Sequence, residues 1–317
     1  MYNQNSSTNR VNNNDDLGLG SKVTTDRSMN KDGSFNLERK GESKIRPYEI
    51  YHTLITMKWM KFFFLILTSY FISNLLFASI YYFLGVEHLT GIDKNLNDLH
   101  KFLEAFFFSS QTLTTVGFGR IAPTGTLTST VSAIESMLGV LVFAIATGLL
   151  YGRFSRPQAK LLYSKQAIVA PYKDGKGLMF RLANLRHSQL IEVELSITIA
   201  YFEKGSKIRM FERLKLERDK VSLLPTSWTI VHPINDESPL KGILLDELRE
   251  MKGELIILLK AFDDTFSQTI YSRTSYHADE IIWGRKFLPM FTVAENGRTV
   301  LDLRKIDAME KFELPNR

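Results

Sequence analysis

Two long charge-poor runs and one short one organise the first half of the chain. No charged residue occurs from Phe62 to Leu84, and between Leu127 and Tyr151 the only one is Glu135. As a helix the first run measures about 34 Å, enough to cross a hydrocarbon core of ~30 Å with slight tilt; its length argues against a helix buried in a soluble core. The second run repeats small residues: Ser132, Ala133, Ser136, Gly139, Ala144, Ala146 and Gly148. Small side chains let helix backbones approach closely in lipid, so this helix is expected to pack against protein on most sides. Between the runs, Phe102 to Thr114 is apolar but too short to span, which predicts a re-entrant helix capped upstream by Asp98. Upstream, Pro47 to Met57 sets Tyr48, Ile50, Tyr51, Leu54, Ile55 and Met57 beside Glu49 and His52. That spacing suggests an amphipathic interfacial helix, with a simple linker as the alternative.

After Pro157 the period changes to two. The segments 167–169, 178–182, 191–202, 228–232, 255–262 and 287–293 read as strands separated by Gly, Pro, Asp and Asn turns, and Gly242 to Met251 as a short helix. Glu192, Glu194, Ser196 and Thr198 alternate with Ile191, Val193, Leu195, Ile197 and Ile199, which predicts one wet face. A β-sandwich is the expected class. Residues 1–44 are rich in Asn, Ser, Asp, Lys and Gly and are expected to be disordered, because they bring too little apolar surface to offset ordering entropy.

Charge then orients the spans. Lys44, Arg46, Lys58 and Lys61 precede the first, and Arg153, Arg156, Lys160 and Lys165 follow the second; the 85–126 connection carries only Lys94, Lys101 and Arg120. The positive-inside rule therefore puts both termini in the cytoplasm. A formal net charge of +6 raises the question of nucleic acid, but no compact basic patch with interleaved aromatics occurs, and no nucleic-acid partner is expected. There is no cysteine, and the six histidines are scattered without metal-ligand spacing. No Walker loop or nucleophile elbow is present, so an enzyme is not expected.

The chemistry concentrates after the short apolar run, at Thr114-Thr115-Val116-Gly117-Phe118-Gly119. A permeating potassium ion must shed its water, and rings of backbone carbonyls from four chains can replace that shell. Gly117 and Gly119 supply the unusual backbone angles such a strand needs, and Thr115 adds a hydroxyl at its inner end. One chain supplies a quarter of each ring, so the mechanism implies a homotetramer. Potassium is then the permeant ion, with no cofactor. On the second span Gly139, Phe143, Thr147 and Tyr151 lie four apart and share one face, either lining a pore or packing as an ordinary helix. For Glu135, a structural carboxylate satisfied by the pore helix is favoured over an ion site.

Several strings in order resemble the prokaryotic inward-rectifier potassium channels of the KirBac type. They are Phe106-Phe107-Phe108-Ser109, the filter, Tyr151 to Pro157, Met179 to Asn184, Trp228 to Ile234 and Asp279 to Gly284. The resemblance covers about residues 45–308. It implies a membrane α protein with two transmembrane helices and a re-entrant pore helix, tetrameric, carrying a C-terminal cytoplasmic all-β immunoglobulin-like sandwich. The boundaries expected are a disordered tail over 1–44, an interfacial slide helix over 45–58 and a pore domain over 59–155. Within that domain the spans lie at about 60–84 and 126–152, and the pore helix and filter at about 102–119. The sandwich follows over 156–308, with a tail over 309–317.

By the same resemblance Gly139 is the inner-helix hinge, Phe143 and Thr147 line the pore, and Tyr151 is the gate. Gln111 and Thr114 support the filter. Arg153 and Arg156 are candidates for binding anionic phospholipid, with topology anchoring as the alternative. Glu192, Asp263 and Asp264 are candidates for a cytoplasmic pore lining, with a solvated strand face as the alternative for Glu192. The membrane is expected to be the inner membrane of a prokaryote. Three departures qualify the likeness. Gln111 stands where many relatives carry Glu, Arg46 replaces an acidic residue, and Phe143 stands where strong rectifiers carry a carboxylate, so rectification is expected to be weak. A weakly selective cation channel and a receptor with a vestigial pore are the competing readings.

Overall fold

The computed structural model describes residues 26–38, 49–93, 95–155, 159–186, 188–206, 208–224 and 226–314. It divides into two units, Gly41–Arg156 and a second that joins Met1–Lys40 to Pro157–Arg317.

The first unit is helical: α1 Ile50–Thr56, α2 Trp59–Leu84, α3 Asp98–Leu113 and α4 Thr126–Phe154. A two-residue ladder, β1 Leu89–Thr90 with β2 Ala122–Pro123, ties the chain beyond α2 to the chain before α4. Helix ends follow local chemistry. Gly85 stops α2 at φ +101°, a region that a Cβ makes costly. Asn97, one residue before the expected cap, accepts the His100 N–H at 2.9 Å, and Asp98 becomes the first helical residue, where its charge suits the dipole. The α2 and α4 spans have mean hydropathies of 1.9 and 2.0, yet only 17% and 11% of their most apolar windows are buried. A core helix of a soluble protein buries most of such a surface; these two leave it for lipid and for neighbouring protein.

The second unit is a sandwich. In chain order its elements are β3 Leu161–Tyr163, β4 Ala167–Tyr172, β5 Gly175–Asn184, β6 Leu190–Phe202, β7 Arg209–Leu214, β8 Lys220–Leu224, β9 Ser227–Ile234, α5 Leu245–Glu250, β10 Glu254–Asp263, β11 Gln268–His277, β12 Ile281–Trp283, β13 Arg285–Phe287, β14 Phe291–Val293, β15 Thr299–Leu301 and β16 Met309–Lys311. One sheet runs β11-β10-β6, with β7 and β8 sharing the far edge of β6. In the other, β9 flanks β5 on one side while β3 and β4 share its other edge, and β12 lies parallel to β4. Strand alternation supplies the core. Val193, Leu195, Ile197 and Ile199 of β6 and Leu255, Ile257 and Leu259 of β10 meet Leu178, Phe180 and Leu182 of β5. The expected strand over 287–293 is broken: Phe287 closes β13, which pairs with β16, and Phe291 opens β14, which pairs with β15. The sandwich unit therefore continues past residue 308, through a strand in the expected tail.

A larger correction concerns the N-terminal segment. Residues 26–38, expected within a disordered tail, dock on the outer face of the β6–β10–β11 sheet, and Met29 packs there with Ala200, Phe211 and Ile256. The Glu254 carboxylate accepts the N–H groups of Ser28 at 2.8 Å and Met29 at 2.9 Å, and pairs with Arg209 at 2.7 Å with both side chains fully buried. Burial pulls the Arg209 guanidinium below its usual value, against the opposing pull of Glu254. Arg209 also donates to the Ser28 hydroxyl at 2.7 Å, and Arg27 and Lys31 both pair with Glu280. Composition misses this because the segment is held by hydrogen bonds and charge around one buried methionine, rather than by apolar area. The wet face is therefore shorter than expected: Glu192 and Glu194 are exposed and Ser196 is half-buried, but Thr198 is buried. Residues 1–25 and 39–48, including Arg46, lie outside the described residues.

Replacing Glu254 by Gln strands a buried guanidinium and is expected to cost about 3–5 kcal/mol. Thermal unfolding of the full-length protein should show a clearly lowered midpoint, and deletion of residues 1–37 should lower it too. An unchanged midpoint in both variants would remove the clamp from the account.

Candidate conduction site

The helix α3 ends where the candidate filter begins, and the loop uses the carbonyls that the helix leaves free. Thr114 N–H bonds Ser110 O at 3.2 Å, Thr115 N–H bonds Thr112 O at 3.0 Å, and Gln111 O takes Val116 N–H at 2.9 Å and Gly117 N–H at 3.3 Å. The Thr114 hydroxyl adds a bond to Ser110 O at 2.7 Å. Backbone hand then alternates: φ is +58° at Thr115, +52° at Gly117 and +82° at Gly119, with none at Val116 or Phe118 in that range. Alternation of this kind turns successive peptide planes the same way, which a row of carbonyls along one side of a strand requires. At Thr115 the cost is real, because a β-branched residue in the left-handed region is strained by about 1–3 kcal/mol. Within one subunit the filter residues are exposed, and a Cβ added at Gly117 or Gly119 would meet no atom within 4 Å. Gln111 supports the loop through its backbone; among the described residues its side chain makes no hydrogen bond.

Behind the filter, polar side chains join three helices. Glu135 of α4 accepts the Tyr81 hydroxyl of α2 at 2.6 Å and the Ser109 hydroxyl of α3 at 2.5 Å. Asn74 stands 3.1 Å from Ser109 and donates to Tyr70 O at 2.8 Å, and Tyr70 meets Ser110 at 2.5 Å. Glu135 is thus the pore-helix-bound structural carboxylate that was favoured. Tyr81, Ser109 and Asn74 were not singled out from the sequence, although an Asn inside a charge-free span is itself a signal that a polar partner exists.

One turn further along α4, Gly139 touches α3. A Cβ there would lie 1.9 Å from Leu113 O. The helix runs through Gly139 without a break, and what the geometry shows at this position is close approach to α3. Beyond it Phe143, Thr147 and Tyr151 are all exposed on α4, Phe143 by 75% and Tyr151 by 74%.

Family models reinforce this geometry. The model described as inward rectifier potassium channel transmembrane domain matches residues 29–157, and the one described as inward rectifier potassium channel C-terminal domain matches residues 161–317. Over 284 residues the chain is 37% identical to the inward rectifier potassium channel Kirbac3.1 of Paramagnetospirillum magnetotacticum, covering 88% of this chain and 94% of that one. The chain belongs to the inward rectifier potassium channel family. Its likeness extends to animal members. It is 28% identical over 295 residues to the ATP-sensitive inward rectifier potassium channel 12 of Homo sapiens, covering 85% of this chain and 67% of the relative. With the ATP-sensitive inward rectifier potassium channel 15 of Mus musculus it shares 26% over 317 residues, covering 93% and 84%.

Within this inward rectifier two expected sites change character. Arg153, a lipid candidate, is buried, with its guanidinium donating to Leu54 O and Met57 O at 2.6 Å each and lying 4.4 Å from the Trp59 ring and 4.5 Å from Phe62. These bonds cap the carbonyl end of α1, so Arg153 fastens α1 to α4 and does not present its charge to a headgroup. Arg156 lies outside the described residues. Asp263, a candidate for the cytoplasmic pore lining, ends β10 almost wholly buried, and its carboxylate accepts Thr265 N–H at 3.0 Å and Phe266 N–H at 3.3 Å. It shapes the turn and is no pore lining within its own subunit. Asp264 and Glu192 are exposed, Glu192 with φ +50° at an irregularity in the β6–β10 ladder. Among the described residues no cluster of His, Asp and Glu is arranged to hold a metal ion.

Two substitutions test these assignments. Gly139→Ala forces α4 away from Leu113 and is expected to lower stability by about 1–3 kcal/mol, read as the thermal midpoint of the assembled protein; a neutral result would return the position to the hinge reading. Arg153→Lys keeps the charge but loses the fork, and is expected to cost about 1.5–3 kcal/mol. A lysine variant of full stability would favour the headgroup role instead.

Proposed function

We propose that four copies of this potassium-channel subunit surround one axis and pass dehydrated K+ through stacked carbonyl rings from Thr115 to Gly119. The observation that carries the reading is the alternating hand of the filter strand at Thr115, Gly117 and Gly119, in a loop anchored to its pore helix by Gln111 O. Exposure of the whole filter and of the Phe143–Thr147–Tyr151 stripe within one subunit supports the tetramer, since these surfaces need neighbours or an aqueous axis. Thr114 holds the inner end of the filter, and Phe143 and Thr147 line the cavity. Tyr151 rings close the pore by excluding water. Conduction is passive and uses no cofactor, and Phe143 in place of a carboxylate makes rectification weak.

Both termini are cytoplasmic and the membrane is a prokaryotic inner membrane, a reading supported by the flanking cations. Anionic phospholipid then meets Arg156 and the exposed Lys58 and Lys61, while Arg153 is occupied by α1. Exposed Glu192 and Asp264 remain the candidates for concentrating cations at the cytoplasmic mouth.

A weakly selective cation channel is the second reading, favoured by the absence of any Gln111 side-chain bond among the described residues. Purified protein in liposomes should carry barium-blockable K+ flux well above Na+ flux, and Tyr151→Ala should raise the resting flux. Equal K+ and Na+ flux would select the second reading, and unchanged resting flux in the alanine variant would remove Tyr151 as the gate.

A further inference from the structure

The inner half of the filter loop is tied to α3 by the backbone bonds of Thr114, Thr115, Val116 and Gly117. Beyond Arg120 the chain is fixed again. Ile121 is buried in a cluster with Phe77, Tyr81, Leu89 and Phe108, and Thr90 Oγ1 donates to Ala122 O at 2.9 Å. Thr124 N–H bonds His88 O at 2.7 Å, and the Arg120 carbonyl sits so close to Gly91 that a Cβ there would lie 1.9 Å from it. Between these anchors Val116 to Gly119 have no side-chain hydrogen bond among the described residues. Among the described residues the side chain that links the outer end of this stretch to the pore helix is Arg120, whose guanidinium pairs with the Glu104 carboxylate.

Glu104 precedes Leu113 by nine positions on α3, about 13 Å along the helix axis. The filter strand therefore doubles back beside its own helix, and the Glu104–Arg120 pair closes that return. We propose that Glu104 and Arg120 are positioning residues that brace the outer end of the filter, in a subunit whose Gln111 provides no charged tie at the inner end. The brace rests on the potassium-channel reading. Arg120 is 56% exposed and Glu104 24%, so the pair contributes little to global stability. Its effect falls on carbonyl placement, where small displacements change how well a ring fits one ion rather than another.

The test uses full-length protein in liposomes, with K+ and Na+ flux measured for the wild type, Glu104→Gln, Arg120→Gln and the exchanged pair Glu104→Arg with Arg120→Glu. Each neutral variant should assemble at wild-type yield yet lose K+-over-Na+ discrimination by about two- to fivefold, and the exchanged pair should recover at least half of the loss. If a neutral variant does not assemble, Arg120→Lys should show a smaller loss by the same measure. Wild-type discrimination in both neutral variants, or an exchanged pair no better than either, overturns the brace. A wild type without discrimination overturns the channel reading itself.

Discussion

A carboxylate in the middle of a membrane-spanning helix is tolerated only where protein surrounds it and donates to it, and Glu135 sets that condition for the whole pore unit. Its two oxygens take one hydroxyl from α2 and one from α3, so the three helices are registered against one another at a single depth. The register is shared by the filter, because Ser109 lies on the same pore helix whose last turn supplies Gln111 O and Leu113 O. Gly139 completes the fit by letting α4 approach Leu113 without a side chain between them. Filter position is therefore inherited from a buried carboxylate and a missing Cβ, both on the helix behind it.

The sandwich unit uses the same device with other residues. Arg209 and Glu254 are fully buried on a sheet face, where Glu254 also accepts the backbone N–H groups of Ser28 and Met29 and Arg209 also donates to the Ser28 hydroxyl. A buried ion pair of this sort adds little net stability compared with an apolar pair of equal volume, yet it penalises every arrangement that leaves one charge alone. The N-terminal segment is thereby recruited to one face in one register. That the transmembrane-domain family model begins at residue 29, inside this segment, accords with its being an ordered part of the subunit.

Sequence reasoning reached what periodicity and local backbone demand express. The spans over 62–84 and 127–151, the filter string and the long strands β5, β6 and β10 were all legible, because each repeats a signal over many residues or needs glycine at fixed positions. What it missed depends on partners distant in the chain. Ser109 and Tyr81 look like ordinary residues until Glu135 is brought between them, and Arg153 looks like a positive-inside marker until α1 turns its carbonyl end toward it. Asp263 and Asp264 are equivalent candidates by resemblance alone; only the turn's own N–H groups show which of them is consumed. Short strands such as β12 and β16 carry too few residues for alternation to register.

Tyr151 and Arg153 are two positions apart on α4, which sets them on roughly opposite sides of the helix. One is 74% exposed and the other 9%. The exposed side is the stripe assigned to the axis; the buried side holds α1 through two carbonyl bonds and the Trp59 and Phe62 rings. Gly152 between them leaves room for Tyr51, whose hydroxyl would lie 3.0 Å from an added Cβ. A helix is stiff over two residues, so displacement of the interfacial helix cannot be absorbed between the latch and the aromatic ring; it must rotate or tilt the end of α4. The last turns of α4 thus carry the proposed constriction on one face and the attachment to α1 on the other. A signal that moves α1 reaches the proposed gate without passing through the filter, whose register is fixed separately at Glu135.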